Sequence, residues 1–363
     1  MARLVVEKEK ILKNAAIVIR EVVTANIIAV VKGNGYGLSL VPYVRVLKEG
    51  GITFFAVSEL SDCARLRDAG ISDNLLLMTP LVDIDEVKTA IKLDVIMTVA
   101  SHENAILISG AANELEKEAR VHIKVDTGFG RYGFDASEIE KIATVYSMVS
   151  AVKVEGIFSH LSDAFGKNKK HTLEQCQVFE KILKELQTRS INPGMRHILN
   201  SCGMLRFKEY RYDAVRVGSA FTGRLPVKNR WGFERVGFLE CCVVSLRWLK
   251  KGRNVGYGNV MKIKRPTLAA VLDAGYFDGF CLEKSKDTFR LRDCLRYMRT
   301  DFKKLFSQKI SVTVKNKRAA LLGRVAMTST TVDVTKIECA VGDSAKMNVN
   351  PLFVGEHVER LYV

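Results

Sequence analysis

Between residues 27 and 218, eight short apolar runs alternate with amphipathic stretches, and this alternation leaves few ways to fold the chain. The runs are IIAVV (27–31), TFFAV (53–57), NLLLM (74–78), DVIMT (94–98), VHIKV (121–125), VEGIF (154–158), RHILN (196–200) and AVRVG (214–218). Segments between them, such as ELSDCARLRDAG and TLEQCQVFEKILKELQTRS, have the spacing expected of helices in repeated β-α units. Eight such units predict an α/β fold, a closed (β/α)8 TIM barrel rather than an open doubly wound sheet.

After residue 225 the texture changes. FLECCVVSLRWL, RPTLAAVLDAGYF, KISVTVK, RAALLGRVAM and TTVDVTKI are β-rich runs joined by Gly, Asn and Lys turns. The expectation is a barrel over 8–225 followed by a mostly β domain over 226–363, and 363 residues are enough for both.

No run of about 18 apolar residues is present, and the N-terminal MARLVVEKEK has charges where a signal peptide would be apolar. A cytoplasmic protein with no integral membrane segment is expected. The eight cysteines form neither a CxxC pair nor a cluster with histidines at zinc spacing, so reduced thiols and no metal site are expected.

The net charge of +16 would raise nucleic acid as a partner, but its distribution argues otherwise. Residues 281–320 hold twelve Lys/Arg against four Asp/Glu, half of the whole excess. Within them Leu291, Leu295, Met298, Phe302 and Phe306 recur at helical spacing among basic residues. The first reading is a basic amphipathic helix docked on the rest of the protein; the second is contact with a membrane surface or polyanion.

In a (β/α)8 barrel the C-terminal strand ends face the active-site mouth. Lys32 falls there, as do Arg131, His160, Ser201 and Arg216 after or within later strands. A strand-end lysine alone is more often a snorkelling surface residue, but five polar residues converging at one mouth weaken that reading. A partly desolvated lysine has a lowered pKa and can form a Schiff base with an aldehyde, of which pyridoxal phosphate is the commonest cofactor example. NSCG (200–203) and VRVGS (215–219) offer hydroxyls and small residues where barrels often hold phosphate, though either is equally consistent with a plain loop.

These segments together resemble the pyridoxal-phosphate-dependent alanine racemases. AVVKGNGYGLS (29–39), HIKVDTGFGRYGF (122–134), GIFSHLSDA (156–164), HILNSCG (197–203) and DAVRVGSAFTG (213–223) follow in the family's order. NVGYGNVM (254–261), PTLAAVLDAGYFDGF (266–280) and LLGRVAMTSTTVDVT (321–335) continue it. The resemblance implies that a strand near residues 3–7 joins the β domain. It implies that Lys32 carries pyridoxal 5'-phosphate, that Tyr36, Ser201, Gly218 and Ser219 bind the phosphate, and that Arg216 faces the pyridine nitrogen. It also implies a two-base racemase in a homodimer, with Lys32 on one face of the amino acid and Tyr257 of the partner subunit on the other. His160 and Arg131 would assist that tyrosine, since a free phenol has a pKa of about 10. Arg131 would also hold the substrate carboxylate, positioned by Lys124, whose family counterpart is often carbamylated. Tyr276 and Met327 would line the entry and pocket.

Two positions depart from the family pattern: Thr328 follows Met327 where an aspartate is usual, and Glu356 takes the place of a tyrosine. The resemblance implies L- to D-alanine interconversion, as for peptidoglycan. Serine or broader racemisation and a non-catalytic cofactor-binding protein are the alternatives.

Overall fold

Eight parallel strands in the first part of the chain are almost continuously buried, as strands covered on both faces should be. They are β2 (Asn26–Val30), β3 (Phe54–Val57), β4 (Asn74–Leu77), β5 (Ile96–Val99), β6 (Ala119–Asp126), β8 (Val152–Phe158), β9 (Met195–His197) and β10 (Ala214–Val217), with β1 (Arg3–Val6) before them and a two-residue β7 (Phe134–Asp135) beside β6. The computed structural model describes residues 2–147, 151–306 and 310–363, without the side chains of 304–306, so that of Phe306 lies outside the described residues.

The ladder runs β10-β2-β3-β4-β5-β6-β8-β9. It is a nearly closed barrel: across the β9/β10 seam the Arg216 amide donates to the Leu199 carbonyl at 2.9 Å and the Asp213 amide to the Arg196 carbonyl at 3.1 Å. Every run that the sequence marks as a barrel strand forms one, with ends shifted by up to three residues where the chain turns. Ile28, Val30, Phe54, Ala56, Leu76, Ile96 and Ala214 pack together in a buried cluster drawn from these strands.

The chain divides into two compact units, Lys8–Val236 and Gly237–Val363 with the first residues. The barrel unit thus continues past residue 225. Asn14, fully buried, explains why: its amide donates to the carbonyls of Phe221 at 2.9 Å and Glu234 at 2.8 Å, and it accepts from the Glu234 amide at 2.8 Å.

The second unit is built on a long strand, β11 (Phe238–Leu249). Its first half pairs with β18 (Ser344–Met347) and its second half with β14 (Thr267–Leu272), with an irregularity between Val243 and Ser245. From β14 the path continues through β17 (Thr330–Asp333), β16 (Lys317–Leu321) and β15 (Ser311–Val314) back to β18, closing an antiparallel barrel. Two short strands, β12 (Asn254–Val255) and β13 (Met261–Lys262), pair with each other, and β1 joins β11 and the last strand, β19 (Glu359–Tyr362).

The segment 291–306 is helical, as its spacing predicts, but its apolar face is not docked on the rest of the chain. Asp293 is buried, while Leu291, Leu295, Met298 and Phe302 are exposed.

Asn14→Ala removes a buried donor and acceptor and strands three backbone groups. It should destabilise the protein by about 2–3 kcal/mol with an unchanged denaturant m-value, measured by urea unfolding.

Candidate active site

Lys32 follows the end of β2, and the backbone after it does something L-residues resist. Gly33, Asn34, Gly35, Tyr36 and Gly37 all have positive φ, from 50° to 80°. Hydrogen bonds from the Gly35 amide to the Val31 carbonyl (3.0 Å) and from Gly37 to Gly33 (2.9 Å) close a left-handed turn. Three glycines accept this conformation freely and Asn34 tolerates it, whereas Tyr36 at φ 56° is held in a strained state. The turn carries the Tyr36 ring to the mouth of the barrel.

A cavity of about 360 Å³ opens there. Lys32, Tyr36, Lys124, Arg131, His160, Ser201, Arg216, Gly218 and Ser219 line it, and no carboxylate does among the described residues. The Tyr36 hydroxyl reaches Gly218 so closely that a Cβ added there would lie 2.1 Å from it, so only glycine leaves room for the phenol. Burial pushes the Tyr36 phenol up to about 12, which keeps it a proton donor. Ser201 Oγ accepts from the amides of Gly218 (3.1 Å) and Ala220 (3.3 Å), leaving its own proton to donate. These two hydroxyls come from separate strand ends, after β2 and after β9, and form a cradle suited to an anion.

Arg216 is the floor of the site. Its fully buried guanidinium donates to His197 Nδ1 at 2.6 Å, to the His197 carbonyl at 3.1 Å, to the Ser159 carbonyl, and to His160 Nδ1 at 3.3 Å. It also lies 4.9 Å from the Phe158 ring centre, with His197 stacked on that ring. Because a guanidinium can only donate, both imidazoles must present unprotonated Nδ1 atoms to it. His197 then carries its proton on Nε2, directed at His122 Nδ1 2.9 Å away, and neutral His160 carries its proton on Nε2. Burial first, and Arg216 next, hold His160 and His197 well below the ordinary histidine value. Burial likewise lowers His122 to about 3.

Arg131 is set by a loop wound around one carboxylate. Asp126 accepts from the amides of Gly128 (2.9 Å), Phe129 (2.7 Å), Gly130 (2.8 Å) and Arg131 (3.2 Å). Burial alone would raise that carboxyl, but these bonds and Lys124 bring it below its usual range. The Arg131 guanidinium sits between the rings of Phe129 and Tyr132, at 4.6 and 4.8 Å.

Two arginine charges thus bear on Lys32. Lys32 is accessible at the mouth, yet desolvation by the cavity walls, then Arg131 and Arg216, hold its ammonium below the ordinary lysine value. Lys124 is deeply buried, donates to the Val125 carbonyl at 2.6 Å, and is pushed down to about 7 by burial, with Asp126 opposing and Arg216 and Arg131 reinforcing the shift.

Tyr257, Tyr276 and Met327 belong to the β unit and are not among the residues lining this cavity. There their three motifs gather around one loop. Tyr276 and Phe277 donate backbone hydrogen bonds to the carbonyls of Ala326 (3.1 Å) and Met327 (2.9 Å), and a Cβ on Gly256 would lie 3.5 Å from the Arg324 amide. All three side chains are exposed in the single chain. Glu356 and Thr328 are exposed as well, and beside Glu356 the ring of His357 stacks on Phe277 at 4.3 Å.

His122 and His197 were not legible as site residues. The available signal was spacing: Arg120, His122, Lys124 and Asp126 alternate with apolar residues along β6, so His122 shares one face of the sheet with Lys124.

Residues 6–226 match the family model "Alanine racemase, N-terminal domain" and residues 236–353 match "Alanine racemase, C-terminal domain". The chain belongs to the alanine racemase family. A relative from Desulforamulus reducens named alanine racemase is 33% identical over 327 residues, 88% of this chain and 82% of its own. Alanine racemase 1 of Clostridium acetobutylicum is 32% identical over 326 residues, covering 87% and 78%. In fold the chain is similar to the alanine racemase of Bartonella henselae with covalently bound pyridoxal phosphate, at a TM-score of 0.82 and 20% identity, covering 100% of this chain and 99% of that one.

The depressed Lys124 has a measurable linkage. Its value is about 7 in the folded chain against an ordinary 10.5, so between those limits the unfolded chain binds the extra proton and stability rises with pH. The difference in unfolding free energy between the cofactor-free protein and Lys124→Met, in carbon-dioxide-free buffer, should therefore climb by about 1 kcal/mol per pH unit from pH 7 to 10. A flat difference would mean that Lys124 titrates normally in the fold.

Proposed function

We propose that this chain racemises a small amino acid, alanine in the first instance, with pyridoxal phosphate held at Lys32. The observation that carries the reading is a lysine of lowered pKa at the mouth of a cavity with a buried arginine floor, donor hydroxyls on one wall and no acidic side chain. The residues present fit the cofactor. A phosphate suits Tyr36, Ser201, Ser219 and the Gly218 backbone, where a Cβ would fill the cradle. Arg216, which can only donate, would disfavour protonation of a ring nitrogen placed against it.

When bound, the cofactor supplies an electron sink for the charge that develops at the substrate Cα. The rest falls to the protein. Lys32, neutral at a lower pH than an ordinary lysine, moves the proton on one face. Tyr257, supplied by a second copy in a homodimer, would serve the other, and its exposure in the single chain is consistent with that role. His160, held neutral with its proton on Nε2, offers a hydrogen bond rather than a charge to the phenolate, while Arg131 holds the carboxylate of the amino acid. Lys124, with a substantial neutral fraction near pH 7, is a nucleophile for carbon dioxide, so its carbamylation is part of the proposal.

Serine is the second substrate to consider. Thr328, which follows Met327, stands where the family has an acid, and Glu356, beside the His357 ring that stacks on Phe277, where it has a phenol; side-chain discrimination of this kind is worth only a few kcal/mol.

The test is proton NMR of cofactor-loaded protein with a panel of L-amino acids in D2O, followed by chiral chromatography. Loss of the α-proton signal with appearance of the D-enantiomer is expected, fastest for alanine. Lys32→Ala should slow exchange by about a thousandfold, and Tyr257→Phe should slow it unequally for the two enantiomers. No exchange with any amino acid would leave a cofactor-binding protein without turnover.

A further inference from the structure

The helix Leu291–Phe306 has a feature that the catalytic reading does not use. At 3.6 residues per turn, Leu291, Leu295, Met298 and Phe302 fall within an arc of about 60° and form a ridge about 16 Å long. In the structure they are 76%, 56%, 68% and 65% exposed. Phe289, just before the helix, is 92% exposed as well. Arg292, Arg296, Arg299 and Lys303 occupy the neighbouring arc, also about 60° wide, and all four are exposed.

The acids of this helix offset that flank only in part, at Arg296. Asp293 is buried and bonded by Arg290 at 2.7 Å and Arg296 at 3.2 Å, and Asp301 is paired with Lys286. The described ion pairs of this helix stay within residues 286–301, and apart from Asp293, Cys294 and Tyr297 its described side chains are exposed, so the apolar ridge and the cations along one side of it both face solvent.

We infer that this helix lies in the headgroup region of an anionic lipid surface and holds the protein there reversibly. The chemistry matches on both counts: the ridge enters the acyl boundary, while the arginines extend to the phosphates. A second copy is the poorer occupant, because pairing the ridge with itself would bring two cationic flanks together. Nucleic acid would use the cations and leave the ridge in water. The helix is amphipathic and too polar to span a bilayer, and among the described residues no helix is long and apolar enough to do so.

The inference rests on no residue of the barrel cavity, so it stands or falls apart from the racemase assignment. The test is co-sedimentation of the cofactor-loaded full chain with vesicles of phosphatidylcholine alone or mixed equally with phosphatidylglycerol. Binding is expected only to the anionic vesicles and should weaken with salt. Leu295→Glu with Met298→Glu should reduce it by roughly tenfold or more, as should Arg292→Glu with Arg299→Glu, while α-proton exchange and far-UV circular dichroism are unchanged. If the apolar pair disturbs folding, the charge pair carries the same readout on a surface that packs against nothing buried. Absence of binding to anionic vesicles overturns the inference. So does loss of an oligomer in analytical ultracentrifugation on Leu295→Glu, which would assign the ridge to a second copy, or tighter binding to an RNA duplex than to the vesicles.

Discussion

A guanidinium shut away from water must find acceptors for its protons, and Arg216 finds them at the ends of neighbouring barrel strands. Ser159 and His160 follow β8, His197 ends β9, and Arg216 itself stands in β10. These contacts cross the seam where the strand ladder is interrupted, so one side chain both completes the barrel and floors its cavity. Taking a charge of this kind out of water is costly unless every donor is satisfied. Here the satisfied donors also dictate the chemistry of the acceptors. His197 and His160 are forced to present bare Nδ1 atoms, and their remaining protons then point along fixed directions, one into the buried His122 and the other away from Arg216.

The same charge sets the state of its neighbours. Lys32, Lys124 and His160 all feel Arg216 and Arg131, and each is easier to keep neutral as a result. A site of this composition, with no carboxylate on its walls among the described residues, is rich in cations and donors. What complements it is an anion. The Tyr36 hydroxyl, kept protonated by burial, and the Ser201 hydroxyl, relieved of its acceptor duty by two backbone amides, are donors waiting for one. The left-handed turn from Gly33 to Gly37 belongs to the same account, because strain at Tyr36 is tolerated where it places the phenol against Gly218.

Much of this could be read from the chain. The eight strands were legible because each is a short apolar run, and the interval between runs fits one helix. Lys32, Arg131, His160, Ser201 and Arg216 were legible because strand ends of a barrel converge. The histidine relay was not, since His122 and His197 are 75 residues apart and meet only across the barrel interior. Nor was the end of the barrel unit, which depends on Asn14 capturing the Phe221 and Glu234 carbonyls far along the chain. For the helix at 291–306 the spacing showed an apolar face, but spacing alone cannot say whether such a face points to protein or to solvent.

The distribution of residues over the two units bears on how such a protein changes its substrate. Every group assigned to the cofactor lies in Lys8–Val236, with Arg216 held by its hydrogen-bond network, Tyr36 by the left-handed turn and Ser201 by the Gly218 and Ala220 amides. Thr328 and Glu356, the positions that depart from the family pattern, lie in the other unit, and both are exposed. They share no hydrogen bond with Arg216 among the described residues, so exchange at these positions leaves the Arg216 network itself intact. Sites that are not coupled through shared partners change independently. Under the proposed function, substrate preference can drift in the β unit while the barrel keeps the proton chemistry constant, and a substitution that alters both should instead be sought at Arg131, which stands near the charges that tune Lys32 and is the assigned partner of the substrate carboxylate.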